Sequence, residues 1–225
     1  MTTYVLVPGA WLGGFAWERV SSVLLDAGHD VRPVTLGGLG NRSDETGVSL
    51  RSHVDDIVGL IERGDLRDVV LVGHGYGGIP VGQAALIVRD RLKEVVYVDA
   101  DVPADGVAFA SEELAAHVAA NGDLWAPIGH DDFEGQDLTH EQIHFFEDWS
   151  KPHPGATLTD AAHLDGDLAT LPTTYVASLE DGAEPTADVT ALLTSPHWRL
   201  VELDTGHWPM WSQPAELARI LLDLA

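Results

Sequence analysis

The chain has 225 residues and a formal net charge of −24, because 12 Lys and Arg face 36 Asp and Glu. Nucleic-acid phosphates and anionic membrane surfaces repel so acidic a chain, so we expect neither as a partner. The absence of cysteine excludes disulfides, thiolate metal sites and a cysteine nucleophile. A hydrophobic share of 45% is that of a globular domain rather than a disordered chain.

We also find no targeting signal in the sequence. The first residues, MTTYVLVPGAW, lack the basic and long apolar stretches of a signal peptide. No apolar run reaches the roughly 18 residues that span a bilayer. We therefore expect a cytoplasmic protein that acts on a small molecule, with no cofactor and no metal. A homodimer is compatible with the sequence, which does not set the oligomeric state.

Short apolar runs alternate with stretches of helical periodicity along the chain. In chain order we predict a strand over 4–7, a helix within 13–28, a strand over 31–36, a helix over 53–61, a strand over 69–72, a helix over 79–88, a strand over 95–98, helices over 111–120 and 139–149, strands over 174–177 and 198–203, and a helix over 214–224. Such alternation is typical of βαβ units in a parallel sheet that helices cover on both faces.

The alternation is interrupted once. Residues 101–171 contain helical patches, most of the histidines and no strand-like run. An insertion after a strand of a doubly wound sheet usually lies at the carboxyl edge, over the binding crevice. We therefore predict one domain, with its core in 1–100 and 172–225 and a small helical cap over about 101–171.

The segment 69–78 has the pattern of a strand, a sharp turn and a helix. Within it, Gly73-His-Gly-Tyr-Gly77 fits the G-x-S-x-G nucleophile elbow, except that Gly75 stands where the pattern has serine. The nucleophile of such an elbow sits at a positive φ, which glycine adopts without strain. Gly75 therefore suits the predicted fold and lacks the hydroxyl that attacks a carbonyl.

An acid and a histidine follow in the chain order that an elbow hydrolase requires. Asp181 comes after the fifth predicted strand, and His207 lies in a loop after the sixth. We expect Asp181 to orient His207, whose imidazole acts as the base. Glu180 is a weaker candidate for the acid, and so are Asp99 and Asp101 at the end of the fourth strand.

Together these motifs resemble the α/β-hydrolase superfamily and, within it, the small esterases related to plant methylesterases and hydroxynitrile lyases. The likeness runs from end to end. It is carried by the elbow and by the segments 8–14 (PGAWLGG), 34–42 (VTLGGLGNR), 95–100 (VVYVDA) and 205–210 (TGHWPM). The resemblance implies the α/β-hydrolase fold, a mostly parallel doubly wound sheet with a small helical cap inserted after a central strand.

The resemblance also implies an oxyanion hole made by two main-chain N–H groups, those of Ala10 and Tyr76. Pro8 replaces the family's usual histidine in the first loop, which leaves the Ala10 donor in place. The hydroxynitrile lyases of this group are characterised by a threonine in that loop and a lysine directly after the catalytic histidine. The chain has Ala10 and Trp208 at these places, so cyanohydrin cleavage does not fit.

Three functions are compatible with Gly75. The first is a natural enzyme in which the His207–Asp181 dyad deprotonates water or substrate, acting on a carbonyl-bearing ester, lactone or polyketide-like molecule without an acyl-serine intermediate. The second is a carboxylesterase or lactonase that has lost its nucleophile. The third is a protein that binds the ligand and does not turn it over. We favour the first.

Four tryptophans fall on segments that converge at the predicted crevice: Trp11, Trp125, Trp149 and Trp208. They predict an aromatic-lined pocket for a bulky apolar or aromatic ligand.

The insertion also contains a zinc-like motif. The run from His140 to His144 reads H-E-x-x-H. Thr139 and Gln142, however, form a capping box, which explains the start of a helix without a metal, so we predict no metal site. The other histidines of the insertion are expected on the solvated surface: His117, His130, His153 and His163.

Overall fold

The computed structural model describes residues 1–181 and 187–225, and the side chains of residues 1–180 and 188–225. Its strands are β1 (Thr3–Val7), β2 (Asp30–Pro33), β3 (Val69–His74), β4 (Leu92–Val98), β5 (Leu124–Trp125), β6 (His153–Pro154), β7 (Thr173–Ser178) and β8 (Trp198–Leu203). Its helices are α1 (Glu18–Asp26), α2 (Leu50–Arg63), α3 (Gly78–Ile87), α4 (Glu112–Ala120), α5 (His140–Trp149), α6 (Ala156–Thr159), α7 (Ala187–Leu192), α8 (Pro209–Ser212) and α9 (Pro214–Leu222). None of the described helices is long and apolar enough to cross a bilayer.

Six strands form one sheet in the order β2-β1-β3-β4-β7-β8, and every neighbouring pair is parallel. This confirms the predicted fold class. All six residues of β3 are buried, as a central strand covered on both faces requires. β2 ends at Pro33, three residues before the predicted end, and the chain then turns at Gly38 with a φ of +74°.

The helices divide between the two faces of the sheet. From β1 the chain moves to β2 on one side, and from β2 it returns past β1 to β3. Because parallel crossovers are right-handed, these opposite moves put α1 on one face and α2 and α3 on the other. The packing of α9 against α1, and of α2 against α3, agrees with this arrangement.

The reversal in strand order creates a crevice between β1 and β3. The loop after β1 leads to one side and the turn after β3 leads to the other, so the two segments separate at the carboxyl edge. The elbow predicted at 73–77 lies at this edge, where β3 passes through a 3₁₀ turn (Gly75–Gly77) into α3. The fold therefore places the elbow where doubly wound sheets bind ligands.

The insertion 101–171 contains α4 and α5, as its periodicity predicts, and the short helix α6, which was not predicted. The expectation that it contains no strand is wrong, because β5 and β6 pair antiparallel through Trp125 and His153. Strands of two residues are too short to produce a periodic pattern. The insertion contacts the loop after β1, where the Lys151 N–H donates to the Trp11 carbonyl (2.9 Å).

Close contact between backbones explains the glycines of the elbow. A Cβ on Gly73 would lie 2.9 Å from the carbonyl oxygen of Gly77. One on Gly77 would lie 2.5 Å from the carbonyl oxygen of Pro8 in the loop after β1. These two glycines allow β3, α3 and the loop after β1 to meet at one point.

We expect Gly77→Ala to destabilise the fold by about 1–3 kcal/mol, the usual result of overpacking. Gly77 has a helical φ of −56°, and helix propensity alone favours alanine there, so a loss of stability reports the steric contact. Urea unfolding measures the change. Gly129→Ala is the matched control, because no atom lies closer than 3.8 Å to its Cβ position. Equal stability of the two variants would contradict the close contact.

Candidate active site

His207 lies in the loop between β8 and α8, with its side chain between Asp99 and the elbow. Its Nδ1 donates to Asp99 Oδ2 across 2.7 Å, since a carboxylate only accepts. The other ring nitrogen, Nε2, would lie 3.2 Å from a Cβ on Gly75. The His207 N–H donates to Gln136 Oε1 (2.6 Å) and its carbonyl accepts from His74 Nε2 (2.8 Å). The basic nitrogen of His207 therefore faces the nucleophile position of the elbow.

Asp99 follows β4 directly, at a φ of +43° that turns the chain out of the strand. Its side chain is only 9% exposed, and Oδ1 accepts from the Ser178 N–H (3.2 Å). Burial by itself raises the pKa of this carboxyl, but the hydrogen bond and charge of His207, together with the Ser178 N–H, lower the pKa below its ordinary value of 3.8. Asp99 is therefore ionised at neutral pH and holds the His207 ring.

Among the described residues, Asp99 is the acid that bonds to His207, whereas the sequence favoured Asp181. Asp99 was only an alternative, and it is the described carboxylate that bonds to His207 Nδ1. The Asp181 side chain lies outside the described residues, so its role stays a prediction. Glu180 is exposed, and its N–H donates to the Thr205 carbonyl (2.9 Å). The carboxyl ends of parallel strands meet at one edge, so chain order alone could not rank these acids.

Gly75 has the backbone of a nucleophile elbow. Its φ is +50°, the left-handed conformation in which the nucleophile of this motif is held. The nearest atoms to its Cβ position are Nε2 and Cε1 of His207, and the Gly9 Cα follows at 3.8 Å. A side chain at this position would contact the imidazole on one side and the loop after β1 on the other.

The two residues predicted as oxyanion donors border position 75. Ala10 follows Gly9, whose Cα approaches the Gly75 Cβ position, and Tyr76 follows Gly75 in the chain. Both residues are buried. The predicted oxyanion hole thus has its two donors on adjoining segments, and the function of their N–H groups stays a prediction.

Trp11 fixes the loop that carries Ala10. It has a φ of +66°, a conformation that a bulky residue adopts only when its surroundings hold it. Its N–H donates to His153 Nδ1 (3.2 Å) and its indole Nε1–H to the Trp125 carbonyl (3.1 Å). Its carbonyl accepts from the Lys151 N–H. The insertion therefore holds the residue beside the predicted oxyanion donor.

His153 is completely buried, so the expectation that it lies on the surface is wrong. Because Nδ1 accepts from Trp11, Nε2 carries the hydrogen and donates to Thr157 Oγ1 (2.9 Å). The Thr157 hydroxyl donates in turn to the Pro154 carbonyl (2.7 Å). The sequence has no signal for this burial, since neighbours such as Lys151 are polar.

His53 supports the elbow from helix α2. Its Nε2 donates to the Gly37 carbonyl (2.9 Å), so Nδ1 accepts from the Tyr76 hydroxyl (2.9 Å). The Tyr76 ring also packs edge-on against His153 at 4.5 Å. His53 is thus structural, and Tyr76 joins the elbow to the insertion through its ring as well as through its place in the chain.

Three of the four predicted tryptophans lie in one aromatic cluster. The rings of Trp11 and Trp125 are 4.2 Å apart, and Trp208 packs 4.9 Å from His207. Phe146 joins the cluster, at 6.2 Å from Trp11 and 5.8 Å from Trp208. These rings form a mostly buried aromatic cluster beside His207, and the predicted ligand pocket stays a prediction.

The expectation for Trp149 is wrong. Its side chain is 54% exposed and packs against Phe15 and Phe145 at the outer surface. With Phe15 and Lys151 it lines a separate cavity of about 710 Å³. Helical position alone does not determine which face of α5 meets the core, and Phe146 is the aromatic residue that points inward.

Comparison with known proteins identifies the family. A model of the alpha/beta hydrolase family matches residues 4–220, so the chain belongs to this family. A putative chloroplastic methylesterase 11 from Arabidopsis thaliana is 24% identical over 247 residues, 99% of this chain and 63% of that protein. An alpha-hydroxynitrile lyase from the same plant is 26% identical over 251 residues, 95% of this chain and 93% of the lyase. The chain therefore lies in the methylesterase-like branch.

A carbendazim hydrolyzing esterase from a Nocardioides strain is 38% identical over 125 residues, 53% of this chain and 52% of the esterase. The chain thus spans about half to two thirds of the length of these esterase relatives. Among solved structures, an extracellular alpha/beta-hydrolase from a Paenibacillus species has a TM-score of 0.85 at 23% identity, over 100% of this chain and 99% of that one. The chain thus belongs to a family in which the relatives named above are esterases, methylesterases and a hydroxynitrile lyase.

Buried neutral histidines should make the fold sensitive to acid. Burial lowers the pKa of His53 to about 4 and of His74 to about 3, and that of His153 well below its ordinary 6.5. Since each folded-state pKa lies below 6.5, unfolding takes up protons below that pH. The stability that these three neutral histidines contribute is fully present above pH 6.5. It is lost as the pH falls toward their folded-state pKa values.

Between pH 7.5 and 5.5 we expect the three histidines to remove about 4 kcal/mol of unfolding free energy, roughly 1.4 kcal/mol each. Urea unfolding at several pH values measures this. His153→Gln should reduce the loss by one third, and the exposed His117→Gln should leave it unchanged. A stability that does not vary over this range would contradict neutral burial of the three rings.

Proposed function

We propose that this protein is a general-base enzyme that acts on a carbonyl-bearing apolar or aromatic small molecule without an acyl-serine intermediate. The observation that carries the proposal is the position of His207 Nε2, 3.2 Å from where a side chain on Gly75 would begin. A base and the nucleophile position of the elbow are thus in contact, and residue 75 offers no hydroxyl. The attacking group must come from water or from the substrate.

The orientation of His207 supports its role as the base. Its Nδ1 hydrogen is directed to Asp99, so Nε2 carries the lone pair that takes a proton from a molecule beside Gly75. The ionised Asp99 carboxylate then stabilises the imidazolium that forms. In this proposal Asp99 has the orienting role that the sequence favoured for Asp181.

For an ester, the step is direct attack by water. His207 Nε2 takes a proton from water while the water oxygen bonds to the carbonyl carbon. The carbonyl electron pair moves onto its oxygen, which the N–H groups of Ala10 and Tyr76 stabilise. When the tetrahedral intermediate collapses, the bond to the leaving alkoxide breaks and the imidazolium returns the proton to it. Acid and alcohol are released, and His207 is neutral again.

The aromatic cluster beside His207 supports the substrate class. It contains Trp11, Trp125 and Trp208, and no described Lys or Arg side chain lies among their ring contacts. Such a cluster favours an uncharged apolar or aromatic body next to the reacting carbonyl. The relatives named as esterases and methylesterases support a carboxylic ester as the first substrate class to test.

A second candidate function is an esterase that lacks its nucleophile. The φ of +50° at Gly75 favours it. Glycine can adopt this conformation without a histidine beside it, whereas a serine elbow requires both this backbone and a neighbouring base. Both requirements of a serine elbow are met at position 75. Such a protein would bind an ester in the same crevice and turn it over only when a hydroxyl is restored.

Removing the base tests the first candidate. We expect His207→Ala to lower turnover of p-nitrophenyl acetate and of aromatic methyl esters by about 10²-fold or more. Asp99→Asn should do the same, because an amide donor facing Nδ1 favours the tautomer with hydrogen on Nε2. Asparagine tolerates the positive φ of residue 99. His117→Ala, an exposed position, is the control, and full activity of His207→Ala would contradict the proposal.

Restoring the hydroxyl tests the second candidate. If it is correct, Gly75→Ser gains ester hydrolysis by about 10²-fold or more, with a burst phase and labelling by a fluorophosphonate. Gly75→Ala is the matched control, since it has the same Cβ and backbone strain without a hydroxyl. If the first candidate is correct, both variants lose the original activity, because their Cβ occupies the space beside Nε2.

A further inference from the structure

Three metal-binding side chains meet on the outer surface of the insertion, outside the candidate active site. They are His130, His144 and Glu147, whose ligand atoms all lie within 4.8 Å of one another. His144 Nδ1 is 3.1 Å from Glu147 Oε2, and His130 Nδ1 is 3.5 Å from Glu147 Oε1. The carboxylate thus lies between the two rings. We propose that these three residues bind one divalent transition-metal ion, such as Zn²⁺.

Helix α5 presents two of the ligands on one face. His144 and Glu147 are three residues apart, the spacing at which side chains of a helix are neighbours. The helix is well anchored: its predicted capping box of Thr139 and Gln142 is confirmed, and the Gln142 side chain also donates to the Trp211 carbonyl (2.7 Å). Buried Phe146 fixes the opposite face.

The third ligand comes from the 3₁₀ turn His130–Phe133, just before α5. Phe133 is buried, and its ring packs 4.8 Å from Phe146 and 5.0 Å from Trp208. The turn is therefore already held against the helix, and His130 reaches Glu147 without rearrangement of the backbone. His140, the other histidine of the H-E-x-x-H run, stacks on His130 with ring centres 5.9 Å apart.

The donor set selects the kind of ion. Two imidazole nitrogens and one carboxylate suit Zn²⁺, Ni²⁺ or Cu²⁺, with water completing the coordination. Mg²⁺ and Ca²⁺ prefer oxygen ligands and are disfavoured. The chain's net charge of −24, with Asp131 and Asp132 in the same turn, attracts cations to this surface.

A bound ion would join the turn to the helix near the crevice. Three residues after the turn, Gln136 Oε1 accepts the His207 N–H (2.6 Å), and Phe133 packs on Trp208, the neighbour of His207. The metal would thus stabilise the segment that lies over the candidate base. This inference does not depend on the proposed function.

Calorimetric titration of the full-length, chelator-stripped protein with Zn²⁺ tests the site. We expect one Zn²⁺ per chain, no comparable binding of Mg²⁺, and a higher Tm with Zn²⁺ than without. His144→Ala and Glu147→Gln should each weaken Zn²⁺ binding by roughly tenfold or more. His117→Ala removes an exposed histidine elsewhere and should bind as the wild type does.

The ligands are exposed, so the variants should fold, and equal Tm values in the absence of metal check this. The inference is overturned if wild-type protein shows no saturable Zn²⁺ binding beyond that of the His130→Ala/His144→Ala double variant. It is also overturned if His117→Ala weakens binding as much as His144→Ala. Failure of either kind leaves the proposed role of His207 unaffected, because that role is measured by esterase activity without added metal.

Discussion

The close backbone contact at the elbow is the constraint on which the crevice depends. The Cα of Gly77 packs against the carbonyl of Pro8, and the Cα of Gly73 packs against the carbonyl of Gly77. A strand, a helix and the loop after β1 meet there because neither Gly73 nor Gly77 has a Cβ. That meeting puts Gly9 and Ala10 next to Gly75. The other strands bring further side chains to this point, and these side chains determine the chemistry of the site.

Three hydrogen bonds hold His207 in place. The bond to Asp99 selects the tautomer, and the bonds of its backbone to Gln136 and His74 hold the loop so that Nε2 faces Gly75. The loop is thus fixed by His74 of the core and by Gln136 of the insertion. In the proposed function, a histidine held in this way acts as a base toward a molecule that lies next to Gly75.

The insertion contributes to the site through buried polar contacts as well as through its aromatic rings. His153 and Thr157 connect Trp11 to the main chain of the insertion, and His53 with Tyr76 connects the elbow to helix α2. Every one of these imidazoles has its nitrogens paired, which makes burial of a neutral histidine tolerable. The same pairing explains why the loop beside the predicted oxyanion hole can hold a tryptophan at positive φ.

The sequence by itself determined the parallel sheet, the elbow with its glycine, the histidine that lies beside that elbow and the family resemblance, because strand runs, glycine spacing and chain order are local. Only the tertiary structure decided that Asp99 is bonded to His207, that His153 is buried, that Trp149 faces outward and that His130 joins His144 and Glu147. Each of these depends on residues distant in the chain or on the rotation of a helix about its axis. Several acids end strands at the same edge, and one-dimensional order cannot tell which of them reaches the imidazole.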